Sequence, residues 1–127
     1  MATEILINDG GAPARILPFV AAEDITAGYA LAVNSDGNVK LASSSDSELA
    51  AIGYGLTTIT SGNIVSVISG HGVILNVYCA AITAGKGLML GTTDGQMVEA
   101  SNATLLPNCQ ATALETGTGG LTKVITH

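Results

Sequence analysis

The sequence predicts an all-β protein, and three observations carry that reading. First, short runs rich in β-branched residues alternate with glycine-marked turns, most clearly over AIGYGLTTITSGNIVSVISGHGVILNV from Ala51 to Val77. Second, no segment shows a sustained helical period. The only helical candidates are a single turn over Asp46 to Ala51 and a stretch from Thr104 to Gln110 that Pro107 interrupts. Third, the chain resembles itself. Ile25-Thr26-Ala27-Gly28 recurs as Ile82-Thr83-Ala84-Gly85, an offset of 57 residues.

Taken in order, residues 1–18 read as an extended arm. Ile5-Leu6-Ile7 is a brief apolar run, Asn8-Asp9-Gly10-Gly11 follows, and Pro13 and Pro18 forbid a continuous helix. With no obvious partner in its own domain, this arm is expected to be mobile in the free protein and to become ordered by strand addition to a neighbouring chain. Residues 19–127 then form a single β domain built on two related units, roughly 25–69 and 82–126. Leu31 and Val33 match Leu88 and Leu90, and Asp36-Gly37 matches Asp94-Gly95 after a one-residue slip. Val67-Ile68-Ser69 matches Val124-Ile125-Thr126 with the offset restored. Each unit reads as a bend, a strand, an Asp-Gly turn, a strand, a polar loop and a hairpin.

The middle of the chain predicts a meander of three strands, Ile52 to Ile59, Ile64 to Ser69 and Val73 to Cys79, with turns at Thr60 to Asn63 and Gly70-His71-Gly72. In the central run Ile64, Ser66 and Ile68 share one face, and Val65, Val67 and Ser69 the other. A strand apolar on both faces belongs inside a small barrel or at a subunit interface. Two repeats are too few for a solenoid, so a pseudo-symmetric sandwich or small barrel is the expected architecture.

Composition narrows the function. Aromatic residues are 3% of the chain and charged residues 11%, well under the quarter or so of an average domain, so much of the surface is uncharged or covered. A net charge of −6 with only four scattered basic residues, Arg15, Lys40, Lys86 and Lys123, disfavours nucleic acid. No apolar run nears the ~20 residues a membrane span needs, and the amino terminus does not read as a signal peptide, so a protein made and used inside a cell is expected. Cys79 and Cys109 lack CxxC spacing and histidine companions. They are expected to be free thiols, with no metal bound.

No cluster assembles an enzyme. Asn34-Ser35-Asp36-Gly37-Asn38 fails the calcium-loop spacing, since Ala32 and Ser43 fall where ligands belong, and it reads as a hairpin turn. Glu115 to Gly120, ETGTGG, fits no phosphate-binding pattern and reads as a flexible hairpin tip. His71 lies between two glycines, and no Asp or Glu between Glu48 and Asp94 orients it locally. Asn102-Ala103-Thr104 matches the glycosylation pattern, as chance allows in a chain without a secretion signal. No catalytic residue and no cofactor is therefore assigned, and binding or structural work is the expected class.

The layout resembles the head decoration, or capsid cement, proteins of tailed bacteriophages. The likeness rests on the proline-bearing arm, Asp24-Ile25-Thr26-Ala27-Gly28 leading to Leu31-Ala32-Val33, and the Gly37-Asn38-Val39-Lys40-Leu41 hairpin. It continues through the polar loop from Ser43 to Ser47, Ala51-Ile52-Gly53-Tyr54-Gly55, and the return from Gly70 to Val77. The resemblance implies a β-clip or β-tulip body, commonly a homo-trimer, made in the host cytoplasm and seated on the outside of an icosahedral capsid. There the arm, with Ile5, Leu6, Ile7, Arg15 and Pro18, would reach onto the major capsid protein and staple its subunits. Similar β-clip modules occur elsewhere, which keeps a carbohydrate-type ligand-binding module as the alternative.

Overall fold

The computed structural model describes residue 5 and residues 15–43, 51–100 and 110–126. Ten strands make up its regular structure: β1 (Arg15–Val20), β2 (Ala30–Val33), β3 (Val39–Leu41), β4 (Gly53–Gly55) and β5 (Ile64–Ser69), followed by β6 (Ile74–Ile82), β7 (Gly87–Leu90), β8 (Met97–Glu99), β9 (Ala111–Ala113) and β10 (Gly117–Thr126). The first five form one sheet in the order β1-β5-β4-β2-β3. The second five form a closed barrel, β10-β6-β8-β7-β9.

The internal repeat is visible in the pairing itself. β1 pairs with β5, β5 with β4, β4 with β2 and β2 with β3, all antiparallel. In the second unit β6 pairs with β10, β10 with β9, β9 with β7 and β7 with β8 in the same sense. The second unit closes through a parallel bridge, Cys79 to Met97. The first nearly closes through its equivalent, Ala21 to Val39, where Ala22 N–H donates to Val39 C=O at 2.8 Å. Both units are thus the same five-stranded wrap, which leaves no long bare edge on the second.

Interior positions match as well. Ala21, Ile25, Leu31, Val39, Val65 and Val67 form a buried cluster in the first unit. Their counterparts Cys79, Ile82, Leu88, Met97, Thr122 and Val124 are buried in the second. Small and β-branched side chains suit these narrow wraps. Ile25 and Ile82, Leu31 and Leu88, and Val67 and Val124 are identical pairs, while Ala21 and Cys79, Val39 and Met97, and Val65 and Thr122 differ, so the same topology is filled by partly different packing. Ala30, Ala32, Ala42, Tyr54 and Ile68 of the first unit join the core of the second, so one apolar cluster runs across the seam between units.

Several expectations change. The boundary drawn after residue 18 falls inside β1, because Arg15 to Val20 pair with Ser69 to Ile64 and serve as the first strand of the first unit, as β6 serves the second. The repeat therefore begins earlier than residues 25 and 82. Pro18 is tolerated there because Ala21 N–H bonds to Asn63 on the β5 side (2.9 Å). By strand alternation, residue 18 then faces away from β5 and its missing N–H removes no ladder bond. The segment from Ile52 to Ile59 is a strand only over Gly53–Gly55, and Ile59 returns as a single bridge to Ile25.

Gly70-His71-Gly72 does not fold a hairpin. β5 and β6 pair with different strands, and this segment passes the chain from one unit to the other, with Gly72 N–H donating to Thr126 C=O at 2.9 Å. The glycines of the expected flexible tip at Glu115 to Gly120 lie within β10 instead, paired with β6 from Gly117 to Ile82 onward. Asp36-Gly37 and Asp94-Gly95 do form turns, with Gly37 at φ 84° and Gly95 at φ 75°. The helical turns expected over Asp46 to Ala51 and Thr104 to Gln110 lie outside the described residues except for Ala51 and Gln110, as do Asn102 and Cys109.

Candidate interaction surface

Of the five residues expected to contact a capsid, Ile5, Arg15 and Pro18 are among the described residues. Ile5 is 8% exposed and belongs to the core of the protein's own body, where its C=O accepts from Asn76 N–H at 2.7 Å. The expectation that this run lacks a partner in its own domain fails at Ile5, because the outer edge of β6 offers backbone donors and the Gly28 turn leaves room beside it. Leu6 and Ile7 lie outside the described residues. Arg15 and Pro18 are exposed on β1.

β1 itself is the most apolar exposed element. Ile16, Leu17 and Val20 are exposed along it, and Ile64, directly opposite Val20 on β5, is 63% exposed. Val20 and Ile64 form a pair without ladder bonds between them, which brings their side chains close on one face. In sequence, Ile64 already announced itself as an apolar residue on a strand apolar on both faces. Val20 gave no separate signal, because residues 15–20 read as arm and strand boundary rather than as a sheet edge.

The equivalent edge in the second unit is covered. Tyr78 N–H donates to Gly28 C=O at 2.8 Å, and the Tyr78 ring stacks on Tyr29 with centroids 4.3 Å apart and planes 15° from parallel. Gly28 has φ 87° and lies against Leu121 and the Asn76 carbonyl, so close that a side chain there would meet Leu121 Cδ2 at 2.6 Å. Only glycine meets both demands. Across the same seam Ala30 N–H donates to Gly95 C=O at 3.0 Å and Gly95 N–H to Ala42 C=O at 2.7 Å, with Gly95 seated on the Tyr29 ring.

A cavity of about 280 Å³ also opens along the seam, lined by Tyr54, Ile68, His71, Gln110 and Thr126 among others. Gln110 Oε1 accepts from Ala51 N–H at 2.9 Å and ties its rim together. Burial, with a smaller contribution from the nearby Cys79 thiol, holds the Tyr54 phenol protonated well above the usual tyrosine range. Burial likewise pushes the Cys79 thiol up to about 12. Neither is poised to give up a proton near neutrality, and His71 is exposed at the mouth.

No protein-family model matches the sequence, and no curated protein matches it. Among solved structures, the chain is similar to the N base of head fiber gp8.5 in bacteriophage phi29, with a TM-score of 0.67 at 16% identity, covering 90% of this chain and 94% of that one. The two share a fold over nearly their whole lengths.

Proposed function

We propose that the protein is a structural component of a tailed-phage virion, seated on the outside of the capsid as a homo-trimer and bridging major capsid protein subunits. The observation that carries this reading is the fold shared with a phage head fiber base over nine-tenths of both chains. The surface supports it: few charges, an exposed apolar strip on β1 and β5, and no arrangement suited to proton transfer or phosphate binding at the sites described above. In this role the protein is made in the host cytoplasm and binds without catalysis, and specificity resides in backbone edges and apolar contacts rather than in charge.

Mixing the purified protein with undecorated shells of the phage that encodes it, then imaging the shells by electron cryomicroscopy, tests the proposal. New density at fixed positions on the outer surface is expected. Bare shells at saturating protein would overturn it.

A further inference from the structure

Because the two units are equivalent strand by strand, every contact made by one across the seam has a counterpart that the other can make. The seam uses each contact once. The Gly28 turn of unit one sits on the edge of β6, and the Gly95 turn of unit two sits on Tyr29, Ala30 and Ala42. The counterparts are Gly85 for Gly28, Val20 for Tyr78, Ile64 for Leu121, and Gly37 for Gly95.

Among the described residues, nothing covers any of the four counterparts. Gly85 adopts the same φ of 87° as Gly28, yet open space surrounds the side on which Gly28 meets Leu121. Gly37 is equally open where Gly95 packs on Tyr29. Ile64 is 63% exposed where Leu121, still touching the Gly28 turn, is 40%. Among the described residues, no acceptor faces Val20 N–H on the outer side of β1, where Tyr78 N–H finds Gly28. Among the described residues, unit one thus presents an unfilled edge and unit two an unused turn, and the two are complementary by construction.

We infer that a second copy of this chain fills this edge: the Thr83–Lys86 turn of one copy docks on β1 and Ile64 of the next, while the Asp36-Gly37 turn of the next copy packs against Lys86 and Gly87 of the first. Val20 N–H donates to Gly85 C=O of the second copy, reproducing the bond from Tyr78 to Gly28. The Lys86 stem covers Val20 where Tyr29 covers Tyr78, so the contact between copies carries an aliphatic layer in place of stacked rings. Pro18, the counterpart of Asn76, withholds the donor that Asn76 gives Ile5, so no equivalent of the Ile5 segment is bound by that bond here. A contact of this kind is head-to-tail and closes into a ring when the rotation allows. Three copies closed this way set six units about one axis, each joined to the next by the same kind of contact. The inference deepens the oligomer proposed above and rests on it.

Sedimentation of the full chain and three variants at micromolar concentration tests the interface. Gly85→Asn keeps a residue tolerant of positive φ but places a side chain where the second copy's Ile64 and Pro18 carbonyl would lie, and Ile64→Lys puts a charge into the same contact without backbone strain. Both are expected to sediment as folded monomers, with circular dichroism unchanged. Gly72→Asn, at φ 71° in open space beyond the end of β5 opposite Ile64, is expected to stay oligomeric. If the natural chain is itself monomeric at every concentration, the oligomer reading falls and this interface with it. If the natural chain is oligomeric and Ile64→Lys remains so, the oligomer stands and this interface is wrong. Should Gly85→Asn fail to fold, Ile64→Lys alone decides.

Discussion

Replacing Ile5 by alanine measures how firmly the amino-terminal segment is held by its own body. Ile5 is 8% exposed and packs in the shared core beside the Gly28 turn, while its carbonyl bond from Asn76 is made by the backbone and survives the substitution. Truncating a buried isoleucine to alanine costs roughly 2 to 5 kcal/mol, and a site at the margin of the core can partly collapse, which places this one near about 2 kcal/mol. For a domain of this size each kcal/mol lowers the melting temperature by roughly 4 °C, so a fall of about 8 °C is expected. Differential scanning calorimetry of the natural chain and the variant, at matched concentration and above pH 6, reads it directly. A melting temperature within 1 °C of the natural chain would show that Ile5 contributes nothing in solution, and the segment would then be free to pair elsewhere.

Gly53→Ala should lower stability by roughly 1 to 3 kcal/mol, because a Cβ there would overlap the Ile68 carbonyl and lie 2.7 Å from Val67 Cγ1; an unchanged denaturant midpoint would contradict the close approach of β4 to β5. Stability should fall as pH rises above 9, the ordinary value of the Cys79 thiol, because the unfolded chain releases that proton while the folded chain holds it until about 12. The raised folded value means the contribution is complete below pH 9 and is lost at up to about 1.4 kcal/mol per pH unit across that window. Tyr54, shifted in the same direction, adds to the loss at the upper end. Cys79→Ala should flatten the urea midpoint between pH 9 and 12, and an unaltered slope would count against the buried thiol as its source. Deleting residues 2–12 should lower the melting temperature at least as much as Ile5→Ala and also weaken attachment to shells. Full-strength decoration by the truncated chain would remove the arm from the proposed mechanism.

The all-β architecture and the repeat were legible because strand propensity, Asp-Gly turns and a 57-residue offset are local signals that a linear reading can hold. What escaped was partnership. Gly70-His71-Gly72 carries the composition of a hairpin turn, yet it crosses between units because β5 finds β1 and β6 finds β10, pairings set by residues about 50 positions away. The same blindness cut β1 in two. Pro18 argued for an arm, and only the alternation of ladder bonds shows that its missing donor faces outward. Ile5 was recognised as apolar and β-prone, but its seat is made of Asn76 and Gly28, which nothing near it in sequence announces. At the interaction surface, Ile64 was readable as a residue seeking cover, whereas the identity of the open edge required the covered one for comparison.

The order of pairing in each unit also bears on how the chain acquires its shape. The first strand of each unit is bonded to its last, β1 to β5 and β6 to β10, so neither wrap can close until its final strand is available. Contacts of such long sequence separation make folding slow relative to helical proteins of equal size, because the loop entropy is spent before the ladder forms. During synthesis every sheet partner of the first unit has appeared once Ser69 leaves the ribosome, and it can close while the second is still being made. The second unit then grows against a finished neighbour whose Ala30, Ala32 and Tyr54 form one wall of its core. The amino-terminal half thereby becomes a template for the other, and substitutions on that wall are expected to slow the second wrap more than the first.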